Sequence, residues 1–413
     1  MNTGNPPQHR QTPHAFRPAR SARLQRTLGR VVITALFLIC FLVVLMVIVG
    51  NQGVTGSVLG FALAILPVTV VVATFLWVDR VEPEPISHLA FAFGWGACVS
   101  TLVALVFNSL GEQWLRVFLH GGQDAGAFLV APVVEETVKG LVLLIFLFFR
   151  RKEFDGLVDG IVLGGMVAAG FAFTENILYF ARAFAHSEVA GAGLGATIGT
   201  FVLRGVLSPF AHPLFTAMTG IGCGLAATSQ RGLGRVLAPV FGWLVAVLLH
   251  ATWNYSATAG TFWTVYLLVM VPLFCGMAYL VVWSRRLELK VLEQHLPAYA
   301  SAGWITAWEL PALTTFDGRR KARDWANRAL GATGRRAMED LQATATELAF
   351  LRAKASGDDD LYQFAQRERE LLRQLSERKR VLVPAAERHP FGEAQVPSGP
   401  GYGPLPPSGP HSG

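Results

Sequence analysis

Two adjacent glutamates and a lysine, Glu135, Glu136 and Lys139, interrupt an apolar run over residues 125–149 that is long enough to cross a bilayer. A charge at the centre of a membrane helix costs roughly 2.5–3.5 kcal/mol on insertion scales, and intramembrane ionisable residues mark functional sites by default. Three more polar islands interrupt other apolar runs: Glu175 in Phe171-Ala172-Phe173-Thr174-Glu175-Asn176, His212 in Ala211-His212-Pro213, and His250 with Asn254 in His250-Ala251-Thr252-Trp253-Asn254. Glu135 and Lys139 share a helical face at i,i+4 spacing, as do His250 and Asn254. A glutamate and two histidines from separate helices can hold a divalent metal. Glu175, His212 and His250 are the expected ligands and zinc the first candidate, with a position left for water. Glu135 or Glu136 then serves as general base, and Lys139 balances charge. A metal-free version is also chemically sound, with a glutamate activating water while His and Asn donate to an oxyanion. Adjacent helical residues point ~100° apart, so spacing leaves open which of the two glutamates faces the site.

Elements must carry these residues. The 413-residue chain is 52% hydrophobic and 15% charged, which excludes an ordinary water-soluble enzyme and predicts an all-α, polytopic membrane helix bundle. Eight runs can span: 31–49, 57–78, 88–110, 125–149, 156–182, 199–228, 236–256 and 262–283. The sixth contains Arg204, Pro209 and Pro213, which predict a broken or kinked helix. Basic clusters precede the first run and follow the fourth, sixth and eighth, so both termini are expected in the cytoplasm. On that map Glu135 lies ~15 Å, Glu175 ~10 Å and His250 ~9 Å from the outer end of their helices, at 1.5 Å per residue. Independent structural histidines have no reason to share a level. The small residues Gly164, Gly165, Ala168, Ala169 and Gly170 suit close helix approach.

The expected organisation is a basic cytoplasmic segment 1–30, a membrane domain 31–283, a small cytoplasmic helical region 284–388 and a disordered Pro/Gly-rich tail 389–413. Leucines around 341–351 and 361–375 predict a helical hairpin, divided at Gly357-Asp358-Asp359-Asp360. Segment 111–124 is expected at the outer interface, with Trp114 as an anchor. The four cysteines lie in different apolar runs and read as small buried hydrophobes. The net charge of +7 sits beside the apolar runs, where it faces anionic lipid, and no nucleic acid partner is expected.

The set Glu135-Glu136-x-x-Lys139, Phe171-x-x-x-Glu175, His212 and His250-x-x-x-Asn254, with the Glu82-Pro83-Glu84-Pro85 loop, resembles the PrsW family of intramembrane proteases. That family is related to the type II CAAX prenyl endopeptidases and APH-1-like proteins of the CPBP superfamily. The resemblance covers about residues 57–283. It implies an integral protein of a bacterial-type plasma membrane that makes the site-1 cut in a single-span anti-sigma factor, on the extracytoplasmic side. Glu135, Glu136, Glu175, His212 and His250 are then the functional residues, with Asn254 alongside. The second motif ends in glutamate, where CAAX enzymes have histidine, which favours PrsW. The alternatives are a non-catalytic scaffold of the APH-1-like kind and a proton or ion carrier.

Overall fold

The computed structural model describes residues 20–386 apart from 82, 119–124, 151–153, 155, 192–193, 230–231, 308 and 355–360. Among them the regular structure is entirely helical. The helices are α1 (Arg20–Val78), α2 (Ile86–Phe118), α3 (Ala131–Phe149), α4 (Leu157–Val189), α5 (Gly195–Phe201), α6 (Ala211–Thr228), α7 (Gly232–Thr258), α8 (Phe262–Ser301), α9 (Glu309–Thr314), α10 (Phe316–Lys354) and α11 (Leu361–Ala386). Six helical stretches among the described residues are long and apolar enough to cross a membrane: Thr27–Val78, Ile86–Phe118, Leu157–Val189, Gly195–Thr228, Gly232–Thr258 and Phe262–Ser301. The first joins two of the expected runs across Gly53, whose φ of 75° suits glycine alone. The three-charge run forms the 19-residue α3, too polar to count with the six.

Helix α4 is the centre of the bundle. Every residue from Val158 to Phe171 is buried, the pattern of a helix enclosed on all sides. Its small residues let neighbours approach to backbone contact. A Cβ at Gly160 would lie 2.0 Å from the Gly220 carbonyl oxygen of α6, and one at Gly170 would lie 2.0 Å from the Phe93 carbonyl oxygen of α2. The sixth run breaks where its prolines predict. Helix α5 passes into a π turn over Val202–Leu207, the chain bends at Ser208, and α6 starts anew at Ala211. A second π turn, Gly126–Val130, leads into α3.

Three expectations change. Residues 111–118 continue α2 as regular helix, supported by the Glu112–Arg116 i,i+4 pair at 2.6 Å, while 119–124, with His120, lie outside the described residues. Cys40, Cys98 and Cys223 are buried, but Cys275 is exposed because it faces outward on the peripheral α8. The C-terminal region is more than a hairpin. Leu292, Leu296 and Tyr299 at the end of α8 share a core with α9, α10 and α11, and Val81 from the loop after α1 inserts into it. Gly357–Asp360 and the tail from 387 onward lie outside the described residues.

Candidate active site

Helix α3 turns Glu135, Glu136 and Lys139 inward, and all three are buried. Two indoles hold it there: Trp95 Nε1 donates to the Val138 carbonyl at 3.0 Å, and Trp243 Nε1 to the Thr137 hydroxyl at 3.1 Å. Lys139 Nζ, fully enclosed, reaches Glu136 Oε1 at 2.9 Å and Glu135 Oε2 at 3.4 Å. It also lies 3.7 Å from the centre of the Phe171 ring, a cation–π contact supplied by α4. A buried cation this close to two carboxylates meets the requirement that charges removed from water be paired.

The two glutamates differ sharply. Glu136 is saturated. Its Oε1 takes Lys139 and, at 3.0 Å, His250 Nδ1 of α7, and its Oε2 accepts the Thr216 hydroxyl of α6 at 2.8 Å. Glu135 accepts Asn108 Nδ2 of α2 at 3.2 Å through Oε1. Its Oε2 is held less tightly, 3.4 Å from Lys139 Nζ and 3.8 Å from His250 Nε2.

The second carboxylate–histidine pair comes from α4 and α6. Glu175 Oε2 lies 2.8 Å from His212 Nε2 and 2.5 Å from Arg204 Nη2. Arg204 also donates through Nε to Asn176 Oδ1 at 2.9 Å and lies over the Tyr179 ring, 4.0 Å from its centre. The His212 and His250 rings meet edge to face, 5.0 Å apart, and Phe215 stacks on His250 at 5.1 Å.

The tautomers follow from these bonds. A neutral imidazole that gives an N–H to a carboxylate keeps a lone pair on its other nitrogen. His250 gives Nδ1–H to Glu136 and keeps Nε2, and His212 gives Nε2–H to Glu175 and keeps Nδ1. Histidine metal ligands characteristically donate their second nitrogen to a carboxylate in this way. Donor atoms of Glu135, His212 and His250 lie within 4.8 Å of one another, and all three residues are buried. The donor set therefore suits a divalent metal. Its carboxylate is Glu135, whereas Glu175, expected from sequence beside the two histidines, is engaged by Arg204 and His212. Lys139 Nζ stands 3.5 Å from His212 Nδ1, so a cation already lines this centre.

Asn254 does not join the cluster. Its Nδ2 donates to the Ala127 carbonyl at 2.8 Å and ties α7 to the π turn before α3. Thr216, Asn108 and Arg204 are members that spacing did not single out. Thr216 lies i+4 from His212, and Asn108 is a lone amide in an apolar run, both readable signals. Arg204 was read only as a weakness in its span.

Residues 84–277, which include every group named above, match the PrsW family intramembrane metalloprotease family. The chain is 28% identical over 238 residues to Protease PrsW of Clostridioides difficile, covering 57% of this chain and 91% of that one. It is 29% identical over 205 residues to Protease PrsW of Geobacillus kaustophilus, covering 49% and 81%, and 30% identical over 182 residues to Protease PrsW of Oceanobacillus iheyensis, covering 44% and 75%. No solved structure matches. Buried glutamates and histidines in an apolar helical bundle, together with these relatives, lead to one conclusion: the chain belongs to the PrsW family of intramembrane metalloproteases and is a membrane-embedded peptidase acting on a membrane protein.

Proposed function

We propose that the chain hydrolyses a peptide bond of a single-span membrane protein, with Glu135 taking the proton of the attacking water. The carrying observation is the pair of carboxylate-bound histidines that each offer a donor atom within 4.8 Å of one another and of Glu135. His212 and His250 would hold the metal beside Glu135, with zinc the first candidate from these donors. When bound, zinc supplies Lewis acidity to the scissile carbonyl and to the water. Asn108 fixes Glu135 Oε1, so Oε2 is the atom that receives the proton and later returns it to the leaving amine. Glu136 fixes His250, Glu175 fixes His212, and Arg204 with Asn176 fixes Glu175. Lys139 balances the carboxylates throughout, and Phe171 and Phe215 line the site with apolar surface. Asn254 sets the approach of α7 to the start of α3.

The break at Gly53 and the charged α3 support eight crossings, two more than the six apolar stretches. With the basic clusters inside, both termini are cytoplasmic and the site lies in the outer half of the bilayer. That depth suits a site-1 cut in an anti-sigma factor, and the wider kinship with CAAX endopeptidases belongs to the same reading. Relatives named as proteases favour hydrolysis over the scaffold and carrier alternatives.

The test is cleavage of a co-reconstituted single-span anti-sigma factor by the purified full chain. Glu135→Gln and His250→Ala should each abolish the cut while the protein stays monodisperse. Undiminished cleavage by both variants refutes the proposal. Full activity in a preparation shown by elemental analysis to be metal-free refutes the zinc assignment and leaves Glu135 as base.

A further inference from the structure

A second basic centre lies where α1 ends, α8 leaves its apolar stretch and α10 begins. Trp77 and Trp283 are both 45% exposed there. Such half-exposed indoles characteristically sit at headgroup depth. Arg285 follows two residues after Trp283. Its guanidinium lies 4.3 Å from the centre of the Trp77 ring and 5.0 Å from that of Phe316. The residue is only 7% exposed, and its buried Nε has no hydrogen-bond partner among the described residues. Burying a guanidinium without an acceptor costs free energy.

The surroundings add charge of the same sign. Arg319, one turn after Phe316, donates to the carbonyls of Leu313 and Val81 and to the Thr346 hydroxyl. The Val81 bond brings the exposed Arg80 to the same place. Arg323, one turn further, donates to Gln342 Oε1. Burial first, then the charges of Arg323 and Arg285, push the Arg319 guanidinium down to about 10, against the pull of Glu288. Arg323 is lowered by burial and by Arg80 and Arg335, against Glu339 and Asp324. Four arginines thus stand close together, with Glu288 acting on Arg285 and Arg319 and with Glu339 and Asp324 acting on Arg323. Arg319 spends its bonds on the protein, whereas among the described residues Arg285 Nε has no acceptor and Arg80 is exposed.

We propose that Arg285, with Arg80 and Arg323, binds a phosphate group at this level. Guanidinium forks match phosphate oxygens bidentately and resist deprotonation, which suits them to the task. Two sources carry that chemistry, the phosphodiester of an anionic lipid headgroup and inorganic phosphate, and the tryptophan level favours the headgroup. The site is independent of the peptidase reading.

The test uses the full chain in detergent micelles, with thermal unfolding followed by tryptophan fluorescence. Dioleoyl-phosphatidylglycerol should raise the midpoint saturably, dioleoyl-phosphatidylcholine should not, and sodium phosphate is titrated separately. Saturation by phosphatidylglycerol alone identifies the headgroup; saturation by millimolar sodium phosphate identifies free phosphate. Arg80→Gln/Arg285→Gln should weaken the response about tenfold or more, the worth of one charge-assisted pair. Arg336→Gln/Arg369→Gln, which removes two exposed charges elsewhere, should leave it intact. If loss of Arg285 prevents folding, Arg80→Gln alone decides. No saturable shift with either probe overturns the proposal, as does an equal loss in the Arg336/Arg369 control.

Discussion

Replacing Glu136 by glutamine should damage the protein more than replacing Glu135, although Glu135 is the residue placed at the chemistry. Glu136 is fully enclosed and accepts from Lys139 at 2.9 Å, His250 at 3.0 Å and Thr216 at 2.8 Å. An amide there turns one acceptor into a donor facing donors, and it leaves Lys139 with only Glu135 at 3.4 Å. Removing one partner of a buried ion pair costs about 3–5 kcal/mol. Glutamine at 135 keeps its acceptor for Asn108, and Lys139 keeps Glu136, so about 1–2 kcal/mol is lost. Loss of a general base lowers the rate roughly 10²–10⁴-fold. The assay pairs thermal unfolding and monodispersity in detergent with the cleavage rate. Glu135→Gln should be well folded and inactive, and Glu136→Gln should be poorly folded. A stable, inactive Glu136→Gln beside an active Glu135→Gln would reverse the roles and refute the reasoning.

Gly160→Ala should destabilise the protein by about 1–3 kcal/mol or more, because its Cβ meets backbone rather than a side chain that can yield. Gly164→Ala, whose Cβ would lie 3.1 Å from the Thr216 carbonyl oxygen, should be milder, and unfolding midpoints that rank the two the other way contradict the packing account. Burial raises Asp79, beyond the end of α1, from 3.8 to about 7, opposed by its bond from the Glu84 amide and assisted by Asp159. The folded state holds this proton more tightly, so its stabilisation is present below about pH 4 and lost as pH rises through about 7. Three pKa units set an upper bound on the order of 4 kcal/mol. Asp79→Asn should therefore unfold later than the parent at pH 8, with the advantage shrinking toward pH 4. A constant difference across that range would count against the assignment. Arg204→Gln should weaken metal binding about 10–100-fold by loosening Glu175 behind His212. A zinc-chelator competition titration reads this without any cleavage assay, and unchanged affinity would make Arg204 a packing residue only.

Much of this site was legible in the chain because membranes penalise charge. Glu135, Glu136, Lys139, Glu175, His212 and His250 stand out in apolar runs, and equal depth along separate helices already suggested a meeting place. Arg204 and its prolines announced a broken helix correctly, yet the arginine's partner was invisible. Pairing Arg204 with Glu175 needs the lateral order of α4 and α5, which no periodicity encodes. The same limit hid which glutamate groups with the two histidines. Glu135 and Glu175 have equal claims by residue type, and only the rotation of each helix shows that Glu135 groups with both histidines while Glu175 pairs with His212 and Arg204. Asn254 shared a face with His250, but one helical turn carried it to the Ala127 carbonyl. In the C-terminal region, amphipathic spacing revealed α10 and α11. It could not show that α8 runs on into their core.

That continuity has a mechanical consequence. Helix α8 is 40 residues long, a rod of about 60 Å. One end stands among the membrane helices and the other supplies Leu292, Leu296 and Tyr299 to the C-terminal bundle. Val81, from the loop after α1, makes a second attachment through the Arg319 bond to its carbonyl. A body fixed at one point can swivel; a body fixed at two transmits torque. Leverage of this kind couples any load on the C-terminal bundle directly to the tilt of the last span and to the loop that joins α1 to α2.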